Sequence, residues 1–431
     1  MYKIILLLII SVILSTILTA CYDASETDDL SFVIIMGIDK GTKDKLRLTV
    51  KVPTFAGQTA GSIGGSGTSG GGSQSGGGQG EYATITVDAP SFFTGNNLFD
   101  AFTPRQLNFM HVKLIVFSEE IARSEAMSTY LSAFIRDRQI RDTMHIIISK
   151  TSAEEFVKAT TPFIGVSLSK TVELFMREPG NTGFCPHTTF NDFYISMKSA
   201  YGQAFTILGS INNQKSLKEG EDNPAAGFKN GGEYYAGGLP REGGNNIEFF
   251  GTAVFNGGIM AGELNGDETR LLLMVRNEFN KGYWTLRDPK KPQFVVPINI
   301  RKAKDTDVRV SFKNDKPIIN LKIYLEGDIG AIQSRINYES TELKSIVEEA
   351  LKQEIKRGMD KLIEKCKALK ADVFDFGLSA AMHFGTIEEW EKYNWLKRFE
   401  EAQINTEVEF TVKRTGVMLK SSEIISSEGK Q

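Results

Sequence analysis

Proton transfer, metal binding and nucleophilic attack each need particular side chains at particular spacings, and few positions in this chain qualify. The four histidines, His111, His145, His187 and His383, lie far apart in sequence. No HExxH, CxxC or P-loop pattern occurs, so zinc-dependent hydrolysis and nucleotide chemistry have no motif behind them. A lone histidine such as His111 is more often structural than catalytic. Asp28 with Asp29, and Asp372 with Asp375, could each pair an acid with a base. Carboxylates this close more commonly cap helices or sit on solvated surfaces. Outside one Gly/Ser-rich stretch there is no Gly-x-Ser-x-Gly turn to expose a nucleophile. Gly65-x-Gly67-x-x-Gly70 matches a dinucleotide fingerprint in letters only, because no helix pattern opens on its last glycine. No catalytic residue, metal site or cofactor site is expected. Trp390 and Phe399, at helical spacing, read as core and not as a ligand cage.

The N-terminus carries a clearer message. Lys3 precedes an apolar run from Ile4 to Leu18, then Thr19-Ala20-Cys21. A short basic start, an apolar stretch and small residues before a cleavage point make a secretory signal. With cysteine at that point it is similar to a bacterial lipoprotein signal, whose sulfur takes a diacylglyceryl group with palmitate-type chains. Cys21 is thus the expected lipid attachment site, and residues 1–20 the signal peptide. The uncharged stretch is short for a hydrocarbon layer of about 30 Å and contains Ser11, Ser15 and Thr16, which argues against a permanent span. The next charges, Asp23, Glu26, Asp28 and Asp29, are acidic, so lipid must do the membrane work. A diacylated cysteine supplies the second chain that stable anchoring requires. Overall, 50 basic side chains face 53 acidic ones, for a net charge of −3. No clustered basic face points to nucleic acid. Cys185 and Cys366 read as buried thiols, since a chain this long needs no disulfide staples.

The elements that would position these residues follow from periodicity. Phe32–Ile38 reads as a buried strand, and Leu46, Leu48, Val50 and Val52 alternate as a half-buried one. Residues 57–80 form a Gly/Ser loop; between Gly61 and Gly80, sixteen of twenty residues are Gly or Ser. Such a segment cannot bury enough surface to offset its ordering entropy, and it most simply joins two neighbouring strands. A strand resumes at Ala83–Val87. Asn96–Met110 reads as a helix interrupted at Pro104, Lys113–Phe117 as a strand, Ser118–Arg136 as a helix and Met144–Ile148 as a strand. Gly and Pro between Pro179 and Cys185 mark a domain edge. A middle domain, 186–285, contains a long polar surface loop, 212–246, and sheet strands at Glu248–Phe255 and Leu271–Val275. The C-terminal domain, 286–418, alternates at 294–300, 308–312 and 319–325, with a hairpin turn at Asn314-Asp315-Lys316. One apolar stripe marks a long helix over 339–370, with Gly358 as a place for a bend. Thr386 with Glu389 makes a capping box for a second helix. Val408, Phe410 and Val412 form a last strand, and 419–431 is a tail. The fold class is α+β, with a first α/β domain over 21–185 and mixed sheets with packed helices in three domains behind the signal peptide.

Several strings are specific enough to resemble a known family. Leu30-Ser31-Phe32-Val33-Ile34-Ile35-Met36-Gly37-Ile38-Asp39-Lys40 resembles the opening of the Ger(x)C family, the lipoprotein C subunits of bacterial spore germinant receptors. Thr94–Ala101, Arg105, His111–Ala122 and Phe134–Arg141 are similar to its N-terminal block. Gly251–Phe255 with Gly266–Arg270 is similar to the next block. Asp372-Val373-Phe374-Asp375-Phe376-Gly377, Trp395 and Thr415-Gly416 are similar to the last. Tyr22 stands where the family often has Trp. The Gly/Ser loop and the 212–246 loop look like insertions. The resemblance implies a three-domain α+β protein lipid-anchored on the outer face of the inner spore membrane. It implies two partners, an A-type subunit and a transporter-like B-type subunit, in a complex that responds to nutrients. It implies no catalytic residues, and no direct nutrient binding by this subunit is expected. The alternative is a lipid-anchored extracellular solute-binding protein with two α/β lobes around a cleft. The hairpin strands between Phe294 and Leu325 argue against those parallel sheets.

Overall fold

The computed structural model describes residues 1–7, 11, 26–54, 82–163, 165–177, 179–212 and 231–416, with 418, 420, 421, 425–427, 429 and 430 beyond them. Cys21 and the Gly/Ser loop 57–80 lie outside the described residues. The architecture is α+β, with mixed sheets and packed helices in more than one unit.

Eight strands make the first sheet: β1 (Ile35–Lys40), β2 (Leu46–Pro53), β3 (Tyr82–Ala89), β4 (Leu114–Ser118), β5 (His145–Ser149), β6 (Phe205–Ile211), β7 (Ile247–Asn256) and β8 (Ile259–Leu264). Their spatial order is β8-β7-β6-β5-β4-β1-β2-β3. The four central strands β6, β5, β4 and β1 are parallel, and the pairs at either side are antiparallel. Parallel neighbours need crossovers, which here are helical, and those helices cover both faces of the sheet. Helices Phe92–Asp100, Ala126–Phe134 and Phe190–Met197 pack on one face. Helices Ala153–Ala159 and Leu168–Arg177 pack on the other. The composition change at 179–185 falls between β5 and β6, which pair directly. The parallel strands progress in one direction, so there is no switch point to open a crevice at their carboxyl ends.

The Gly/Ser-rich stretch does separate strands that are neighbours, since Pro53 pairs with Tyr82. The strand β2 is not half-buried: Thr49 and Lys51, on its polar side, are 0% and 5% exposed beneath the Ala153–Ala159 helix. Alternation reports two faces; it does not report whether the second face is also covered. The 212–246 excursion is likewise not all surface, because Ala236 and Asn245 are buried.

The second sheet holds β9 (Lys281–Arg287), β10 (Val295–Lys302), β11 (Asp307–Lys313), β12 (Lys316–Ile329) and β13 (Gln403–Arg414). Asn314 and Asp315 both take left-handed φ, at 52° and 63°, closing the β11–β12 hairpin as two-residue primed turns require. β13 runs parallel to β12 along nearly its whole length, so β10 and β11 share the opposite edge. The helix Thr341–Ala368 buries Val347, Leu351, Ile355, Met359, Leu362, Ile363 and Cys366 at three- and four-residue steps. It runs unbroken through Gly358, where an added Cβ would lie 2.9 Å from a Leu271 methyl. That glycine admits a neighbouring helix; it does not mark a break.

Three further expectations, each about a helix, are corrected. Leu271–Val275 is the end of a helix, Gly266–Val275, and not a strand. Asn265 and Glu268 form a reciprocal capping box at 2.9 Å each, and the second half of the helix, Leu271–Val275, is apolar on every side because it is buried on every side. Asn96–Met110 is a helix from Phe92 to Asp100 followed by a short strand, Gln106–Asn108, which pairs with Leu30–Phe32. Ser118–Arg136 is two helices, Glu119–Ala122 and Ala126–Phe134, parted at Ser124, whose hydroxyl bonds the Ile121 carbonyl. The helices Ala153–Ala159, Leu168–Arg177 and Phe190–Met197 carry no sequence expectation, although Ser152 and Thr189 cap two of them through Glu155 and Asp192 backbone N–H groups.

Candidate functional site

The two acid pairs do not form acid–base sites. Asp28 and Asp29 are exposed in a single 3-10 turn. Asp372 is fully buried, whereas Asp375 faces Arg276 at 2.6 Å near the surface. The Asp372 carboxylate accepts the backbone N–H groups of Phe374, Phe376 and Gly377 at 3.1, 3.3 and 3.0 Å. It also accepts the Trp395 indole N–H at 2.8 Å. Burial pushes its carboxyl up to about 7, against the pull of those donors. Its own carbonyl takes the Gln203 N–H at 2.7 Å, which ties this turn to the start of β6. A Cβ on Gly377 would sit 2.1 Å from the Tyr201 carbonyl, and one on Gly202 would sit 2.3 Å from Asp375 Oδ1. The Asp-Val-Phe-Asp-Phe-Gly string is therefore a knot that joins the two sheets.

The opening string does comparable work in the first sheet. Gly37 lets the Ala153–Ala159 helix approach, since its Cβ would lie 3.0 Å from Val157 and 3.1 Å from the Ala153 carbonyl. Asp39 accepts the Ala153 and Glu154 N–H groups at 2.8 Å each, at the positive end of that helix. At the other end, Lys51 Nζ donates to the carbonyls of Val157, Lys158 and Thr160 at 3.0, 3.2 and 2.6 Å. Burial raises the Asp39 carboxyl and lowers the Lys51 ammonium to about 8. Arg270, 3% exposed, stacks over Phe184 at 3.7 Å and bonds the carbonyls of Thr182 and Tyr283. These inward roles of Asp39, Lys51 and Arg270 carry no motif signal beyond the strings themselves. The thiols of Cys185 and Cys366 are buried and unbridged.

The histidines are less scattered than their numbering. His383 packs edge-on against Phe312. His111, His145 and His187 line one recess of about 320 Å³, together with Lys113, Arg141 and Arg177. The recess lies at the amino ends of β4 and β5, beneath the Leu168–Arg177 helix. The His145 and His187 rings meet edge to face at 4.8 Å. His145 Nδ1 is 3.1 Å from the Thr188 carbonyl, which can only accept, so that nitrogen holds the proton. Burial, with His187 and Lys113 nearby, favours the neutral His145 ring. Glu173 is the acid of the recess, and it pairs with Lys170 and Arg177. Among the described residues, no group of three or more His, Cys, Asp or Glu is placed to hold a metal ion. No helix among them is long and apolar enough to cross a membrane.

Comparison with known proteins agrees with this geometry. Residues 23–210 match the model of the spore germination protein N-terminal domain, and 250–416 match that of the spore germination B3/GerAC-like C-terminal region. Spore germination protein KC of Bacillus subtilis (strain 168) is 24% identical over 95% of both chains. Spore germination protein B3 of the same organism is 21% identical over 93% of this chain and 95% of its own length. The crystal structure of the GerBC protein superposes with a TM-score of 0.51 at 15% identity, covering 88% of this chain and 96% of that one. None of these names is that of an enzyme.

Proposed function

The chain belongs to the GerC-like family of spore germination proteins, and on that premise we propose that it is a lipid-anchored, non-catalytic subunit of a nutrient germinant receptor. It acts by protein–protein contact. One observation carries the reading. The most specific strings of the chain, around Gly37-Ile38-Asp39 and Asp372–Gly377 with Trp395, are turned inward and hold elements together. What the fold leaves outside is surface, and a surface works on a partner. The lipid site is Cys21, supported by the Leu-Thr-Ala-Cys string, and the location is the outer face of the inner spore membrane. The partners are the A-type and B-type receptor subunits. Contact is supported at Arg136–Arg141, where Arg136, Arg138 and Arg141 are exposed and make no ion pair with Asp137 among the described residues. A specific interface would bury on the order of 1,200–2,000 Å².

Purification of the complex from spore membranes through this chain tests both parts. Cys21→Ala is expected to leave the chain loosely attached or soluble. Arg138→Glu is expected to reduce recovery of both partners while calorimetry shows an unchanged fold. Full membrane retention of the first variant with normal partner recovery removes the anchor. Normal assembly and germination with the second removes this surface.

A further inference from the structure

The recess around His145 differs in charge from the chain as a whole. The chain as a whole is slightly acidic, yet among the described residues that line it this recess gathers three cations and three histidines against one carboxylate. That carboxylate, Glu173, is already engaged by Arg177 and by Lys170. Lys113 and Arg141 make no ion pair among the described residues, and the acid that acts on Lys113 from a distance, Glu173, is shared with Lys170 and Arg177, so positive charge is in excess at one concave site. Two exposed cations of like sign repel across a recess, and nothing in the fold requires them there: their backbones already serve β4 and the turn before β5. The floor is different in kind. Val112, Met144 and Met176 are buried, with Val172 beside them, so an apolar body can lie beneath the charged rim. The volume, about 320 Å³, is at the small-molecule end of pocket sizes.

We propose that this recess binds a small organic dianion of the phosphate monoester class, its phosphoryl oxygens held by Lys113, Arg141 and His187 and its apolar body seated over Met144, Val172 and Met176. The charge count matches, since two unpaired cations neutralise one dianion. Arginine presents two parallel N–H groups to phosphoryl oxygens, and lysine a mobile point charge. His145 braces the wall through its Nδ1 bond to the Thr188 carbonyl, beside the strand pairing of His145 with Thr189. The same chemistry is found in a soluble metabolite and in a lipid headgroup that carries a terminal phosphate.

The test uses the purified full chain in detergent, with phenyl phosphate as the probe and phenol as the neutral control. Calorimetric titration should show saturable one-to-one binding of phenyl phosphate and none of phenol. Histidine ring resonances should shift in the same titration. The double variant Lys113→Gln/Arg141→Gln should bind at least about tenfold more weakly, the order expected for losing a charge-assisted bond. Its melting temperature should be unchanged; if it is not, Arg141→Gln alone, at an exposed position, takes its place. Vesicles of phosphatidylcholine with phosphatidic acid then compete with the probe if the source is a lipid headgroup, and fail to compete if it is soluble; either result supports the site. Absence of saturable phenyl phosphate binding overturns the proposal. So does equal affinity in the variant, or histidine signals that do not move.

Discussion

The two sheets of this molecule are covered in opposite ways. The eight-stranded sheet has helices on both faces, so its central strands are buried on both sides and even Thr49 and Lys51 lie under a helix. The five-stranded sheet has the long helix Thr341–Ala368 against one face only. Its other face stays wet, with Lys322 bridging Glu407 and Glu409 at 2.8 and 2.6 Å across β12 and β13. A doubly covered sheet must satisfy any polar group it buries. This one does so by setting Asp39 and Lys51 at the two ends of one short helix, where each charge opposes the end of the helix dipole it faces. A singly covered sheet sends its charges to water, where ion pairs contribute little. The first sheet thus depends on particular buried polar contacts, and the second on apolar area and local hairpins.

The knot between them gives the sharpest way to break that contrast. Asp372→Ala strands three backbone N–H groups and the Trp395 indole in a dry site, and it should cost about 3–5 kcal/mol in a denaturant titration. A loss under about 1 kcal/mol would mean that the junction relaxes and the sheets are held by apolar contact alone. The carboxyl also sets a pH dependence. Its folded value is raised to about 7 from an ordinary value of 3.8. The folded chain therefore holds a proton that the unfolded chain releases between those values. The stability this group contributes is full below its ordinary value and is lost as pH rises through about 7. Relative to Asp372→Asn, the parent chain should lose stability progressively between about pH 4 and about pH 7 and little beyond.

Lys51→Met probes the first sheet alone. It leaves the carbonyls of Val157, Lys158 and Thr160 without their donor while keeping the apolar stem, for an expected loss of about 2 kcal/mol. Hydrogen exchange should quicken in the Ala153–Ala159 helix and not in Thr341–Ala368. Exchange that quickens in both helices equally would show the two sheets to be one cooperative unit. The smallest effect concerns the link between β2 and β3. Deleting 61–80 leaves the Pro53–Tyr82 pairing in place and shortens the loop to be closed, so stability should change by about 1 kcal/mol or less. A fall of more than a few degrees in the melting temperature would show that the segment makes native contacts.

Legibility followed the same division. In the second sheet, the hairpin and the long helix, expected over 339–370 and found at Thr341–Ala368, are legible, whereas β9 and the Phe376–Ala381 helix carry no expectation and β13 begins at Gln403, ahead of Val408. The Asn314-Asp315 turn, the long apolar stripe and the Thr386 cap are all local, and the Thr386 hydroxyl accepts the Glu389 N–H at 3.2 Å as its spacing implies. Only the second half of that box differs, with Glu389 reaching the Gly385 N–H. In the first sheet, three helices carry no expectation, although the Ser152 and Thr189 caps of two of them are local signals. The apolar run at Leu271–Val275 reads as a strand because five consecutive apolar residues, buried on every side, contain no polar position to reveal a helical period.

The sequence by itself determined what depends on neighbours along the chain: hairpins, caps, the amphipathic stripe, and a set of strings distinctive enough to place the family. Only the tertiary structure decided what depends on residues far apart. It put Lys51 under a helix that begins a hundred residues later, made Asp372 the acceptor that closes the junction on Trp395, and set His111, His145 and His187 around one recess. The physical reason is that periodicity records which side of an element is apolar, whereas burial of a charge or convergence of a site is fixed by what packs against that side from elsewhere in the chain.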